Sequence, residues 1–534
     1  MDSRAYTGNV GNVSVTANGA FASGYAQVYA SAATSDTNAV IGGNIGTVSI
    51  AAIGAGADAY VDADASGLAT TDPLIYLGGG NIGNASVRVA GAHASAFYYA
   101  SAYGGGSVGT TTVNLRGDSA YADVILSAQS GGDVGAINIT MQAGLNENYG
   151  KVQLSGFVDG VGGDVSKIGA TTFTISQANS FNSSAYLDFS ALSGTIGAIT
   201  GTLTGGESGF IYVSGGAYEN SAGAGGTIGN ILLTNSSDES YTDVDLYADK
   251  TIGTIAVNAL GAGSGEVNVT LGGAADVGAI TINFGAAQSG YAGTLGISMV
   301  SGADADLALI KVTGGTDTSE YYVSGSVSGS SVVADSIAGV DFSLFNGYVY
   351  IDLDGVSAGT TLTAGAGGSD AYGTQGADIF IGGAGADTVH ITGGGSDYSA
   401  GLSTLSNSNK TIAIGNADVI RGVGADDVID ISLAVDDASG FNTVSRITGG
   451  TAISTSVSAG AVNEYFGYYD SATGKFTSSA AAAASTSSTT DADAVLLMWA
   501  DTTGGTSVTE MVVVVGVRNA TLSITDGVIT GSPP

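Results

Sequence analysis

Two aspartates in the segment "GADIFIGGAGADTVHITGGGSD" (376–397) have the type and spacing of a chemical site. Asp378 and Asp387 stand nine positions apart. Each follows a glycine-rich turn, and each has an apolar residue two positions on, Phe380 and Val389. Carboxylates so placed serve either a reaction or the holding of a hard cation. Such a cation takes about six to eight oxygens, from carboxylates and carbonyls alike. Glycine suits the second role, because it frees the backbone to aim its carbonyls.

The rest of the chain gives these carboxylates little catalytic company. There are two histidines, His93 and His390, far apart in sequence. His93, in "GAHASA" before a strand, reads as a surface or edge residue, and His390 reads as solvent-facing. No HExxH zinc helix is present. "GESGF" (206–210) lies in a β context with no helix to follow its serine, so it is not a nucleophile elbow. A β-helix enzyme acting on acidic polysaccharide needs a base and clustered cations to neutralise the substrate. The 12 Lys and Arg are instead scattered from Arg4 to Arg518. The acidic run "ADAYVDADASG" (57–67) reads as a solvated strand face, with ion binding as the alternative.

Composition narrows the class further. Among 534 residues, 47 Asp and Glu outweigh the 12 basic residues, for a net charge of −35. Nucleic acid and acidic glycans are therefore poor partners, and cations are good ones. Only 11% of residues are charged while 44% are hydrophobic, the reverse of a disordered profile. With 88 glycines but 3 prolines and no three-residue period, a collagen-like chain is excluded. Cysteine is absent, so the core or a metal must hold the fold. "MDSRAYTGNVGNVSV" lacks the apolar run of about 7–15 residues that marks a secretory signal. No apolar stretch reaches the ~20 residues of a membrane-spanning helix.

The elements that position the aspartates are strands. One phrase recurs: a small or polar residue, Val or Ile, Gly, then alternating apolar residues. It begins as "GNVGNVSV" (8–15), "GNIGTVSI" (43–50) and "GNIGNASVRV" (80–89), and it closes as "ADVGAITIN" (275–283) and "GTLGISM" (293–299). Its central glycines number eleven, from Gly11 to Gly296, and most spacings fall between about 24 and 37 residues. Between phrases lie second strand-like runs such as "AFYYASAY" (96–103), "AYADVILSA" (120–128) and "TDVDLYA" (242–248). Their period-two alternation is that of half-buried strands. The expected fold is all-β: a β-solenoid, parallel β-helix-like, in which each coil is too small to bury its apolar face alone. The phrase glycine is expected at a bend or a close backbone approach. A β-sandwich array is the alternative.

The residues 373–381 "GTQGADIFI" and 382–390 "GGAGADTVH" are consecutive nonapeptides, and the second fits G-G-x-G-x-D-x-apolar-x throughout. The pair resembles the RTX calcium-binding repeat. The resemblance covers about 365–534 and leaves the solenoid outside it. It implies a short parallel β-roll with Ca2+ between turns of successive coils. By position it implies Asp378 and Asp387 as carboxylate ligands, and the carbonyls of Gly373, Gln375, Gly383 and Gly385 as backbone ligands. Asp370 and Asp397 flank in degenerate copies, "GAGGSDAY" and "GGGSDYSAG". "VIRGVGADDVIDISL" (419–433) looks like the segment that follows the roll, where Asp426, Asp427 and Asp430 bind a further ion or cap a strand. "TEMVVVVGVRNATLSITDGVIT" (509–530) resembles the family's terminal strands, which hold an uncleaved signal for a one-step exporter (type I secretion).

The expected organisation is a solenoid over 1–300, a connecting β region over 301–363, an RTX-like roll over 364–433 and a C-terminal β domain over 434–534. "KFTSSAAAAASTSSTTDAD" (475–493) reads as a low-complexity loop in the last of these. The expected role is non-enzymatic: a secreted, calcium-stabilised, self-assembling protein of a surface layer or filament on a Gram-negative bacterium. Its partners are copies of itself, and a cell-surface polysaccharide in the adhesin alternative. The 25 tyrosines, frequent on the second strands, suit such contacts. A polysaccharide-active β-helix enzyme is the remotest alternative.

Overall fold

The computed structural model describes residues 2–4, 8–30, 43–65, 68–69, 76–77, 79–142, 149–159, 166–176, 182–219, 223, 225–273, 276–285, 293–299, 306–316, 318–324, 336–391, 410–414, 417–435, 438–447, 450–454, 456–479, 493–500, 507–516 and 521–532. Apart from two short 3-10 turns, Ser432–Ala434 and Ala438–Gly440, the regular structure among them is all β. The chain divides into two compact units, Met1–Ser289 and Gly290–Pro534.

In the first unit the recurring phrase makes a parallel ladder. Its strands run from Val13–Ala17 and Val48–Ala52 through Thr111–Arg116 and Ile199–Thr204 to Ile280–Phe284, each in register with the next. Alternate side chains point inward: Val15, Ile50, Val87, Val113, Ile139 and Phe173 are successive rungs of one buried column. The next rung is Gly201, where a Cβ would overlap the Phe173 ring. A large ring and a missing side chain thus share one rung's volume, as close packing requires.

The second runs make a further ladder, from Ser23–Tyr29 and Asp58–Asp64 through Asn182–Leu192 to Gly265–Gly273. A third, shorter ladder joins the Val or Ile before each phrase glycine, beginning Val10, Ile45, Ile82 and Val108. The coils differ in length, from 24 to 37 residues, yet the strands keep register. Loop length costs little entropy, so the extra residues fall between strands.

The phrase glycine answers to close approach. At Gly135 a Cβ would meet the Gly109 backbone at 2.8 Å, and the Gly135 N–H donates to the Val108 carbonyl at 2.8 Å. The small polar residue of the phrase also has a role that the sequence did not disclose. Asn9 Oδ1 accepts the Asn44 N–H at 2.9 Å, Asn44 Oδ1 accepts the Asn81 N–H at 2.8 Å, and Asn81 Oδ1 accepts the Ser107 N–H at 2.8 Å. The series continues through the Ser107 Oγ and Asp133 Oδ1 to the Lys167 N–H. Side-chain oxygens here satisfy corner amides that no strand ladder reaches.

The second unit is built on two parallel ladders. One runs Gly293–Met299, Glu320–Ser324, Tyr348–Asp352, Ser369–Tyr372, Asp387–His390 and Val428–Asp430. The other runs Asp306–Gly314, Ser336–Phe345, Thr361–Thr363, Ile379–Ile381 and Asp418–Arg421. The expected eleventh phrase is therefore corrected: "GTLGISM" pairs with Glu320–Ser324, a strand of the tyrosine-bearing type, and Gly296 lies inside the strand. Its apolar alternation alone cannot tell the two strand types apart. The stretches expected separately as 301–363, 364–433 and 434–534 fall within this one unit.

The last coil is closed by C-terminal strands. Glu510–Val515 adds in parallel to Asp418–Arg421, and Val528–Ser532 adds antiparallel to Val428–Asp430. Asp493–Trp499 and Ala461–Asp470 extend the first of these as an antiparallel sheet. Its core includes Tyr465, Phe476, Leu496, Met498 and Val513. Of the low-complexity loop expected at 475–493, residues 480–492 lie outside the described residues.

Candidate metal centre in the second unit

A coil of 18 residues places Asp378 and Asp387 on opposite flanks. Asp378 immediately precedes Ile379–Ile381 in one ladder, and Asp387 begins Asp387–His390 in the other. The predicted ligands therefore sort into two groups. Gly373, Gln375 and Asp378 lie on one flank, and Gly383, Gly385 and Asp387 lie on the other.

On the first flank, Asp378 is buried and accepts the Thr360 N–H of the preceding coil at 2.8 Å. It also accepts the Thr374 N–H at 2.6 Å and the Thr374 hydroxyl at 2.8 Å. Its own N–H donates to Asp418 Oδ1 of the following coil at 2.8 Å. Burial pushes the Asp378 carboxyl up to about 6, against these hydrogen bonds. Burial and then the charge of Asp378 push Asp418 well above the usual carboxylate range. A cavity of about 10 Å³ beside Gly373, Asp378, Phe380, Asp418 and Val419 has room for roughly one water-sized occupant.

The second flank repeats the plan. Asp387, also buried, accepts the Ser369 hydroxyl at 2.8 Å and the Gly383 N–H at 2.7 Å. Its N–H donates to Asp427 Oδ1 at 2.9 Å. Asp427 also accepts the Gly424 N–H. Burial raises Asp387, and the charge of Asp427 adds to the rise. A Cβ on Gly383 would overlap the Gly365 carbonyl oxygen, so this turn stacks on its predecessor only as glycine.

The structure places three of the expected features differently. Asp370 is not a turn residue: Ser369 occupies the register position of Asp387, and Asp370 lies on the strand, one place further along. Asp426 is exposed and plays no part in the turn contacts described, while its neighbour Asp427 is buried. "VIRGVGADDVIDISL" does not follow the roll but supplies its next coil, through Asp418–Arg421 and Val428–Asp430. Asp397 lies outside the described residues.

His390 differs from its reading as solvent-facing. Its Nε2 lies 2.6 Å from Asp370 Oδ1 and its Nδ1 lies 3.0 Å from Asp430 Oδ2. Its ring stacks on Tyr372 with centroids 4.0 Å apart and planes at 4°. One imidazole thus ties three adjacent strands together. Burial alone would lower its pKa, but the Asp430 hydrogen bond and the Asp370 charge outweigh burial and raise it. His93, by contrast, is exposed in a turn with φ 53°.

Asp418 is the functional candidate that the sequence reading missed. The signal was a copy at an offset of 40: "GADIFIGGAGADTVHI" (376–391) returns as "NADVIRGVGADDVIDI" (416–431). The copy aligns Asp378 with Asp418, Asp387 with Asp427 and His390 with Asp430. An insertion between the two coils hides it from a nine-residue frame.

The donor set fits a hard cation. Every candidate ligand atom is oxygen, which suits calcium better than zinc. Each flank carries two carboxylates, and among the described residues the carbonyls of Gly373, Gln375, Gly383 and Gly385 accept no hydrogen bond. Among the described residues no three His, Asp or Glu side chains converge on one metal-sized point. A cation here would draw much of its shell from carbonyls. Among the described residues no helix is long and apolar enough to cross a membrane. No protein-family model matches the chain, and no curated protein matches it.

Proposed function

We propose that the chain is a non-enzymatic, secreted structural protein of a Gram-negative bacterium, stabilised by calcium and assembling with copies of itself into a surface layer or filament. The observation that carries this reading is the pair of buried carboxylates on each flank of the roll: Asp378 with Asp418, and Asp387 with Asp427. Desolvated like charges oppose folding unless a proton or a cation offsets them. Asp378 and Asp418, with the Gly373 and Gln375 carbonyls, would hold one ion. Asp387 and Asp427, with the Gly383 and Gly385 carbonyls, would hold another. Bound calcium supplies the positive charge that the turns lack, and its binding energy becomes folding energy.

The chain's own residues do the rest. Thr360, Thr374, Ser369 and Gly383 orient the carboxylates by donating to them. At the ~10⁻⁴–10⁻³ M dissociation constants of extracellular calcium modules, the sites would stay empty in a cytosol poor in calcium and fill outside. That dependence suits export followed by folding. The resemblance of 509–530 to terminal strands carrying an export signal supports the same order of events, and the Lys-poor, Gly- and Thr-rich composition supports a surface-layer role.

Negative-stain imaging of the full chain, with calcium and with a chelator, tests assembly. Ordered arrays or fibres that form only with calcium are the expected result. A monomer indifferent to the chelator would sink the proposal.

A further inference from the structure

The outward face of the second-strand ladder in the first unit mixes tyrosine, phenylalanine and aspartate. On one register column Tyr186 and Tyr212 are neighbours, and on the next Asp188 pairs with Ser214. The two rings stand 6.1 Å apart with their planes at 43°. Lys151 Nζ lies 4.6 Å from the centre of the Tyr186 ring, a cation–π contact. Lys151 is the one basic residue in the ladder from Ser23–Tyr29 to Gly265–Gly273. With Leu154 these side chains line a cleft of about 300 Å³, at the lower end of the range for small-ligand pockets.

The chemistry of the cleft selects its occupant. Two rings on adjacent rungs, 6.1 Å apart and tilted by 43°, present a short, angled aromatic surface. A pyranose offers an apolar C–H face to such a platform and a rim of hydroxyls to its border. Asp188 is exposed and can accept from hydroxyls, Lys151 can donate, and Ser214 can do both. The chain's charge of −35 repels polyanions. We propose that this cleft binds a neutral oligosaccharide, with two consecutive pyranose rings lying on Tyr186 and Tyr212. The proposal goes beyond the structural role above. It stands on the first unit alone, so the calcium reading can fail without it.

Isothermal titration of the full chain in calcium with cellohexaose, maltohexaose and chitohexaose, against hexagalacturonate as the acidic control, provides the test. At least one neutral hexasaccharide should bind saturably. Binding should weaken at least 10-fold in Tyr212→Ala and in Asp188→Asn, and stay unchanged in Tyr25→Ala, whose ring lies outside the cleft. Asp188 is exposed, so Asp188→Asn keeps the test decisive if Tyr212→Ala fails to fold. Absence of binding by all three neutral saccharides would overturn the proposal. So would binding by both cleft variants as tight as the parent's, or tighter binding of hexagalacturonate.

Discussion

His390 shows how a single residue can join three adjacent coils through its side chain. Its imidazole sits between Asp370 and Asp430, the groups that face it from the two neighbouring strands, with Tyr372 against its ring. Its folded pKa is raised above the ordinary 6.5. The stability it contributes is therefore fully present below about 6.5 and is lost as pH rises through the folded value. Asp430 is shifted the other way. Burial would raise it, but hydrogen bonds from His390 and Ser432 lower it. Its contribution is present above the ordinary carboxylate value and lost as pH falls through the folded one. At fixed calcium the unfolding midpoint should fall from about pH 6 to about pH 8, and His390→Gln should flatten that slope. An unchanged slope in the variant would remove the clamp from the account. Glu464 offers a parallel case in the C-terminal sheet. Burial pushes it up to about 7 despite Arg446, whose Nε lies 3.0 Å away. Its penalty grows as pH rises from the ordinary carboxylate value through about 7. Glu464→Gln should accordingly gain stability relative to the parent above pH 7, read as a denaturation midpoint.

At the scale of elements, the strands hold because side chains satisfy what the coil geometry leaves open. Asn44 and Asn81 accept corner amides from the next coil, and truncating such a partner leaves a donor unpaired. The Asn81 contact is solvent-exposed, so Asn81→Ala should cost about 0.5–1.5 kcal/mol, the net worth of one hydrogen bond. Chemical denaturation would measure the difference. Gly201→Val should cost about 1–3 kcal/mol through overpacking against Phe173. A joint Phe173→Leu, Gly201→Val variant should recover part of the loss, and no recovery would mean the two do not share volume.

The ladders were legible in the sequence because period-two alternation and a recurring Gly mark parallel strands at each return. The corner amide ladder was not, because Asn, Ser and Asp occupy it in turn and only their geometry is common. The roll was half legible. The nine-residue frame found Asp378 and Asp387, but the physical repeat is the 18-residue coil, which separates them and pairs each with a residue far along the chain. Asp370 misled for the same reason. It lies one place past the turn position, and a one-residue shift in a strand turns a side chain to the other face.

At the scale of the molecule, a charge of −35 with 12 basic residues makes cations the natural source of stability. Two pairs of desolvated carboxylates concentrate that need in the second unit. Ligand linkage gives its size: calcium at about 100 times its dissociation constant stabilises a site by about 2.7 kcal/mol. The most direct measurement is a calcium titration of the chelated full chain, followed by thermal unfolding, in the parent and in Asp418→Asn. The midpoint should climb with calcium in the parent and climb less in Asp418→Asn, because one of the two flanks has lost a carboxylate. Parent and variant midpoints that do not move with calcium would contradict the calcium reading.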